Sequence, residues 1–240
     1  MPIIVSLFAA IVPMLIYLLL IWLMDKYDRE TILFVFFHFL WGAFGATILG
    51  ISGSIILASL TGMLGEASYS SSLMQTIIFA PFSEEVAKGS FLLFTINSRK
   101  FDNITDGLVY GSAIGLGFGM TENFIYFLTY GNSPESWFQI VVIRSLFSAL
   151  MHCVSTGSFG ALIAISKFSS SSMKNILPFL GLTLAIFIHF SWNVLVSFQN
   201  TFFYGFCLCF YCFYFSFLFL NCPLKMKKES LSRNFLKKVG

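Results

Sequence analysis

Seven apolar runs, each long enough to cross a bilayer as a helix, occupy most of this 240-residue chain: roughly 2–24, 31–60, 71–96, 107–130, 137–166, 176–198 and 201–222. Their lengths and short connections predict an all-α fold, a polytopic transmembrane helical bundle of about seven spans. Composition agrees, with 57% hydrophobic residues, 10% charged and 31 phenylalanines, far from soluble globular usage. The length leaves room for one bundle, residues 1–224 with a motif-bearing core at 71–198, followed by a basic tail at 225–240.

The charged residues orient that bundle. Lys26 and Arg29 lie in the first loop, Arg99 and Lys100 in the third, Lys167 and Lys174 in the fifth, and six Lys or Arg after Leu224; the second, fourth and sixth loops have none. The positive-inside rule then predicts the N-terminus outside and the C-terminus in the cytoplasm. Six of the fourteen Lys and Arg behind the net charge of +3 lie in that tail, which suits anionic lipid beside a membrane and carries no nucleic-acid motif. The N-terminus lacks a basic leader and cleavage site, so residues 2–24 read as a retained first span. The five cysteines fall in or beside apolar runs, as buried small hydrophobes and no disulfide framework.

Inside the third run stand Glu84, Glu85 and Lys88, where each charge costs a few kcal/mol to insert. Glu84 and Lys88 are four apart and are expected to pair on one helix face, leaving Glu85, about 100° round, to find another partner. Pro81 has no N–H and clashes with the carbonyl of Ile77, which predicts a kinked or loosened turn just before the acids.

Small or polar residues recur every fourth position in these runs: Ser72, Thr76, Ala80, Glu84, Lys88; Gly107, Gly111, Gly115, Gly119, Asn123; Ser148, His152, Thr156, Gly160, Ala164; Gly181, Ala185, His189, Asn193, Ser197. The glycines read as close helix packing. Because Glu84, His152, His189, Asn193 and Asn123 share those rows, with Glu122 adjacent, they are expected to point into the bundle. From the 1.5 Å rise, Glu84, His152 and His189 lie about 14–23 Å from the outer ends of their spans. His38, in a Phe-rich run, reads as a packing residue.

A carboxylate beside histidines is the pairing of a general base that activates water. His189 and Asn193, as HxxxN, place two donors on one face, the arrangement that stabilises an oxyanion. Hydrolysis of an amide inside the membrane fits this set. No GxSxG or Ser/His/Asp set stands out, Cys153 cannot face its neighbour His152 on a helix, and HExxH is absent. Glu84, Glu85, His152 and His189 are acceptable ligands, so a divalent metal such as zinc stays open beside metal-free catalysis. A proton-linked transporter or channel using Glu84, Glu122 and Lys88 as relay groups is the alternative from another class, although no inverted repeat is apparent.

Four blocks carry a resemblance: EEVAK at 84–88, DGLVYGSAIGLGFGMTEN at 106–123 with Tyr126, HCVSTGSFG at 152–160 and HFSWN at 189–193. In order and spacing they resemble the PrsW family of intramembrane proteases, within the wider superfamily of CAAX-prenyl-protease-like and bacteriocin-processing membrane enzymes. The resemblance implies an integral peptidase of the cytoplasmic membrane acting on a single-span membrane protein in the lipid bilayer, similar to enzymes that make the first cut in a membrane-anchored anti-sigma factor. Residues 1–224 are then one transmembrane peptidase domain. Carried over residue by residue, Glu84 and His152 hold the water, His189 and Asn193 bind the oxyanion, Glu85 and Lys88 tune or orient, and Glu122 and Asn123 line the site. The superfamily includes both metallopeptidases and metal-free glutamate peptidases; the leading reading requires no cofactor.

Overall fold

Each of the first six apolar runs is helical in the computed structural model, which describes residues 1–25, 29–168 and 172–197. The seventh run, the cysteines other than Cys153 and the basic tail lie outside the described residues. The helices are α1 (Ile3–Met24), α2 (Ile32–Leu60), α3 (69–95), α4 (Ile104–Thr129), α5 (Pro134–Phe168) and α6 (Leu177–Ser197). Among the described residues there is no strand, and α1, α2, α5 and α6 are long and apolar enough to cross a membrane. The two others, α3 with Glu84, Glu85 and Lys88 and α4 with the glycine row, fall short of that measure. Phe8, Ile48, Phe94 and Phe187 are more than half exposed on the outside of the bundle, as apolar side chains facing lipid are.

Helix α4 forms the centre. It begins at a capping box, in which the Asn103 side chain accepts from the Asp106 amide at 3.0 Å and Asp106 accepts from the Asn103 amide at 2.8 Å. Ile104 to Gly119 are all buried, against α1, α2 and α5. Its glycines explain how closely α5 approaches: a methyl group at Gly107, Gly111 or Gly115 would run into the backbone carbonyls of Gly160, Thr156 and His152 respectively. The packing expected of that row is what the structure uses it for. Gly115→Ala is therefore expected to push α5 away at His152 and to cost about 1–3 kcal/mol, read as earlier thermal unfolding in detergent. An unchanged transition would contradict this packing.

Among the described residues three turns are wider than α-helical, with π geometry at Trp41–Ala46, Gln75–Phe79 and Arg144–Ser148. The second lies directly before Pro81, in the place expected for a loosened turn: proline supplies no amide to Ile77, and the preceding backbone re-pairs one residue further along. His38 is fully buried, stacked on Tyr110 and bonded to Thr95 and Phe34, a packing residue as its surroundings imply.

Candidate active site

Four helices converge on the charged cluster. Glu84, Glu85 and Lys88 come from α3, Glu122 and Asn123 from α4, His152 from α5, and His189 and Asn193 from α6. One ligand-type atom from each of Glu84, His152 and His189 lies within 4.8 Å of the other two. The His152 and His189 rings meet edge to face with centroids 4.9 Å apart.

The pairing of Lys88 differs from the sequence expectation. Its Nζ is 2.8 Å from Glu85 Oε1 and only 3.7 Å from Glu84 Oε2, so the tight partner is three residues away and not four. Glu85 wins because other helices have already anchored it. Its Oε1 also accepts from Ser155 at 3.3 Å and meets His189 Nδ1 at 2.9 Å, while Oε2 accepts from Thr156 at 3.0 Å. Four groups thus satisfy a carboxylate that is 1% exposed, and none of it faces open space.

Hydrogen-bond chemistry then assigns the imidazole protons. Lys88 Nζ, which has donors and no acceptor, lies 3.0 Å from His152 Nδ1; that nitrogen must be bare, and Nε2 carries the proton to Glu122 Oε2 at 2.6 Å. Glu85 accepts only, so His189 donates through Nδ1 and keeps Nε2 bare, 3.8 Å from Glu84 Oε2. The two histidines hold opposite tautomers.

Glu84 is the carboxylate left over. Its Oε2 is buried without a hydrogen-bond partner, while the side chain borders a cavity of about 290 Å³ that His152, His189, Glu122 and Asn193 also line. That volume admits several waters. Asn193 faces the cavity with its amide engaged, donating from Nδ2 to the Thr76 carbonyl at 2.8 Å. Asn123 is fully buried and accepts from Arg144 Nε at 2.9 Å.

The donor set also bears on a metal. Glu84, His152 and His189 supply one carboxylate and two imidazoles, the three-ligand pattern of a catalytic zinc site with a fourth position open. The unpartnered Oε2 of Glu84 and the bare Nε2 of His189 fit such a role, whereas His152 would ligate only by giving up its contact to Lys88 or to Glu122. Glu85, expected as a fourth ligand, does not join that group: both its oxygens are committed to Lys88, Ser155, Thr156 and His189.

The profile of a family described as PrsW family intramembrane metalloprotease matches residues 30–220. The chain belongs to the PrsW family. Among its relatives, Protease PrsW of Clostridioides difficile (strain 630) is 28% identical over 167 residues, covering 69% of this chain and 67% of that one. Protease PrsW of Bacillus subtilis (strain 168) is 25% identical over 199 residues, 82% and 85% of the two chains. The Geobacillus kaustophilus (strain HTA426) protein of the same name is 24% identical over 192 residues, 79% of each. No solved structure matches the chain.

Membership of the PrsW family favours the protease among the functional classes left open by the sequence: the chain is an integral membrane protein and an intramembrane protease. The PrsW blocks noted in the sequence are the segments that meet here. Sequence reasoning missed Ser155 and Thr156, which hold Glu85, and gave no role to Arg144, which grips Glu122. Thr156 lies on the same four-residue row as His152, and that row was the signal available for it.

Proposed function

We propose that this chain hydrolyses a peptide bond of a membrane-anchored protein, with Glu84 as the base that takes a proton from water in the cavity. One observation carries the reading: Glu84 Oε2 is a buried carboxylate oxygen of the cluster with no hydrogen-bond partner, 3.8 Å from the bare Nε2 of His189. Glu85, bound on both oxygens, orients Lys88 and His189. His152 borders the same water from between Lys88 and Glu122. Asn193 turns its Nδ2–H from the Thr76 carbonyl to donate a hydrogen bond to the oxyanion as the substrate carbonyl arrives, which makes the α3–α6 contact part of substrate entry. A divalent metal held by Glu84, His152 and His189 would acidify its bound water and polarise the scissile carbonyl.

The proposal includes topology and substrate. Gln75, Thr76, Tyr126, Val196 and Ser197 line the cavity near the loops that lack basic residues, so the site opens on the outer side of a seven-span bundle with its N-terminus outside. The peptidase unit is residues 1–224, with its machinery in 71–198. The family resemblance points to a single-span anti-sigma factor as substrate.

The test uses the full chain in lipid nanodiscs with a single-span reporter. Cleavage within the reporter's membrane segment, located by mass spectrometry, is the expected result; an intact reporter beside well-folded enzyme contradicts it. Adding a chelator and then zinc reads the metal: activity that falls and returns shows metal dependence, for which Glu84, His152 and His189 are the grouped candidate ligands, and activity that persists supports Glu84 as a base acting without metal.

A further inference from the structure

Arg144 is an intramembrane cation with no task in the reaction above, yet it stands on the cavity wall. Its Nη2 is 2.8 Å from Glu122 Oε2 and 3.2 Å from Ser148 Oγ, its Nε is 2.9 Å from Asn123 Oδ1, and its guanidinium carbon lies 3.7 Å over the Tyr126 ring. The wide turn at Arg144–Ser148 is where it leaves α5. The Glu122 oxygen it grips is the same oxygen that meets His152 Nε2 at 2.6 Å. A continuous line of contacts therefore runs from Arg144 through Glu122, His152, Lys88 and Glu85 to His189.

We propose, on the protease reading above, that Arg144 is a positioning residue: it pins Glu122 Oε2 onto His152 Nε2 and so supplies the acceptor half of the two contacts, with Lys88 at Nδ1, that together keep the ring proton on Nε2. The Glu122 side chain is 23% exposed on the cavity wall, and three rotatable bonds let it swing away unless something holds it. A planar fork suits the task, because Glu122 and Asn123 are consecutive on α4 and diverge by about 100°, so one group must reach both. With Glu122 released, His152 no longer has its acceptor at Nε2. Lys88 alone then opposes a proton on Nδ1, and in the fraction of molecules where one forms, donor faces donor and the ammonium moves toward Glu84, the base.

The chain has three histidines, so ¹⁵N-histidine labelling in nanodiscs, on chelator-treated protein, resolves each ring. The wild type should show His152 protonated at Nε2 and His189 at Nδ1. In Arg144→Gln the His152 signals should move to a mixture of tautomers while His38 stays in place. The same variant should lose about 10–100-fold in kcat on the reporter with KM unchanged. Arg144→Lys keeps the cation and loses the fork; it should retain the Nε2 proton and recover part of kcat. His152 signals identical to wild type in Arg144→Gln, or a loss confined to KM, overturn the proposal. If Arg144→Gln does not accumulate in the membrane, the Lys variant carries the test: a folded Arg144→Lys protein with a protonated Nδ1 at His152 overturns it, and a retained Nε2 proton with partial kcat supports it. Wild-type protein that cleaves nothing would remove the protease reading, while the tautomer spectra would still judge Arg144.

Discussion

Glu84→Gln should lower reporter cleavage by about 10²–10⁴-fold, the range that a positioned general base contributes. The substitution keeps the shape of the side chain and removes its capacity to accept a proton. Structure should survive, because Glu84 forms the long contact to Lys88 at 3.7 Å and its Oε2 has no hydrogen-bond partner to lose. Glu85, which holds the short one at 2.8 Å, remains in place. The measurement is initial cleavage rate in nanodiscs beside the circular-dichroism melt of both proteins. Wild-type rates in a correctly folded Glu84→Gln protein would remove Glu84 from the chemistry and leave its unpartnered oxygen unexplained.

Lys88→Met should show the opposite division, a loss of stability before any question of rate. Lys88 is fully buried, donates to Glu85 and His152, and lies with its ammonium 3.9 Å from the Phe118 ring centroid. Methionine fills similar volume and carries no charge. Glu85 is then a buried carboxylate with hydroxyl and imidazole donors and no cation. Breaking a buried pair from one side costs about 3–5 kcal/mol, more than the pair itself is worth, since the remaining charge stays desolvated. Removing both charges, as Glu85→Gln with Lys88→Met, should recover part of that loss. Thermal or denaturant unfolding in detergent reads both variants. A single variant as stable as wild type, or a double variant less stable than the single one, contradicts this account of the pair.

The contrast between Glu84 and Glu85 shows where linear reasoning stops. Three and four residues are both allowed spacings for a helical ion pair, and the sequence favours the four-residue pair of Glu84 with Lys88. What selects Glu85 is the set of donors from elsewhere: Ser155, Thr156 and His189, about 70 to 104 positions along the chain. Once those hold one carboxylate, the ammonium joins it and the neighbouring carboxylate is free to face the cavity. The same applies to Asn193, placed on the right face by its spacing and engaged with Thr76 by a contact that spans two helices.

Apolar run lengths determined the six described helices, whose observed ends agree with the sequence boundaries to within about three residues, as a mostly apolar stretch of bilayer thickness leaves backbone groups no partner outside the helix. The four-residue rows of small residues determined which faces meet, since only a missing side chain lets two backbones approach as α4 and α5 do. Proton positions on the histidines, the partner of Lys88, the exclusion of Glu85 from the ligand set and the grip of Arg144 on Glu122 were decided by the tertiary structure alone. Each depends on distances of about an ångström between side chains on different helices, and hydrogen-bonding strength changes steeply over that distance.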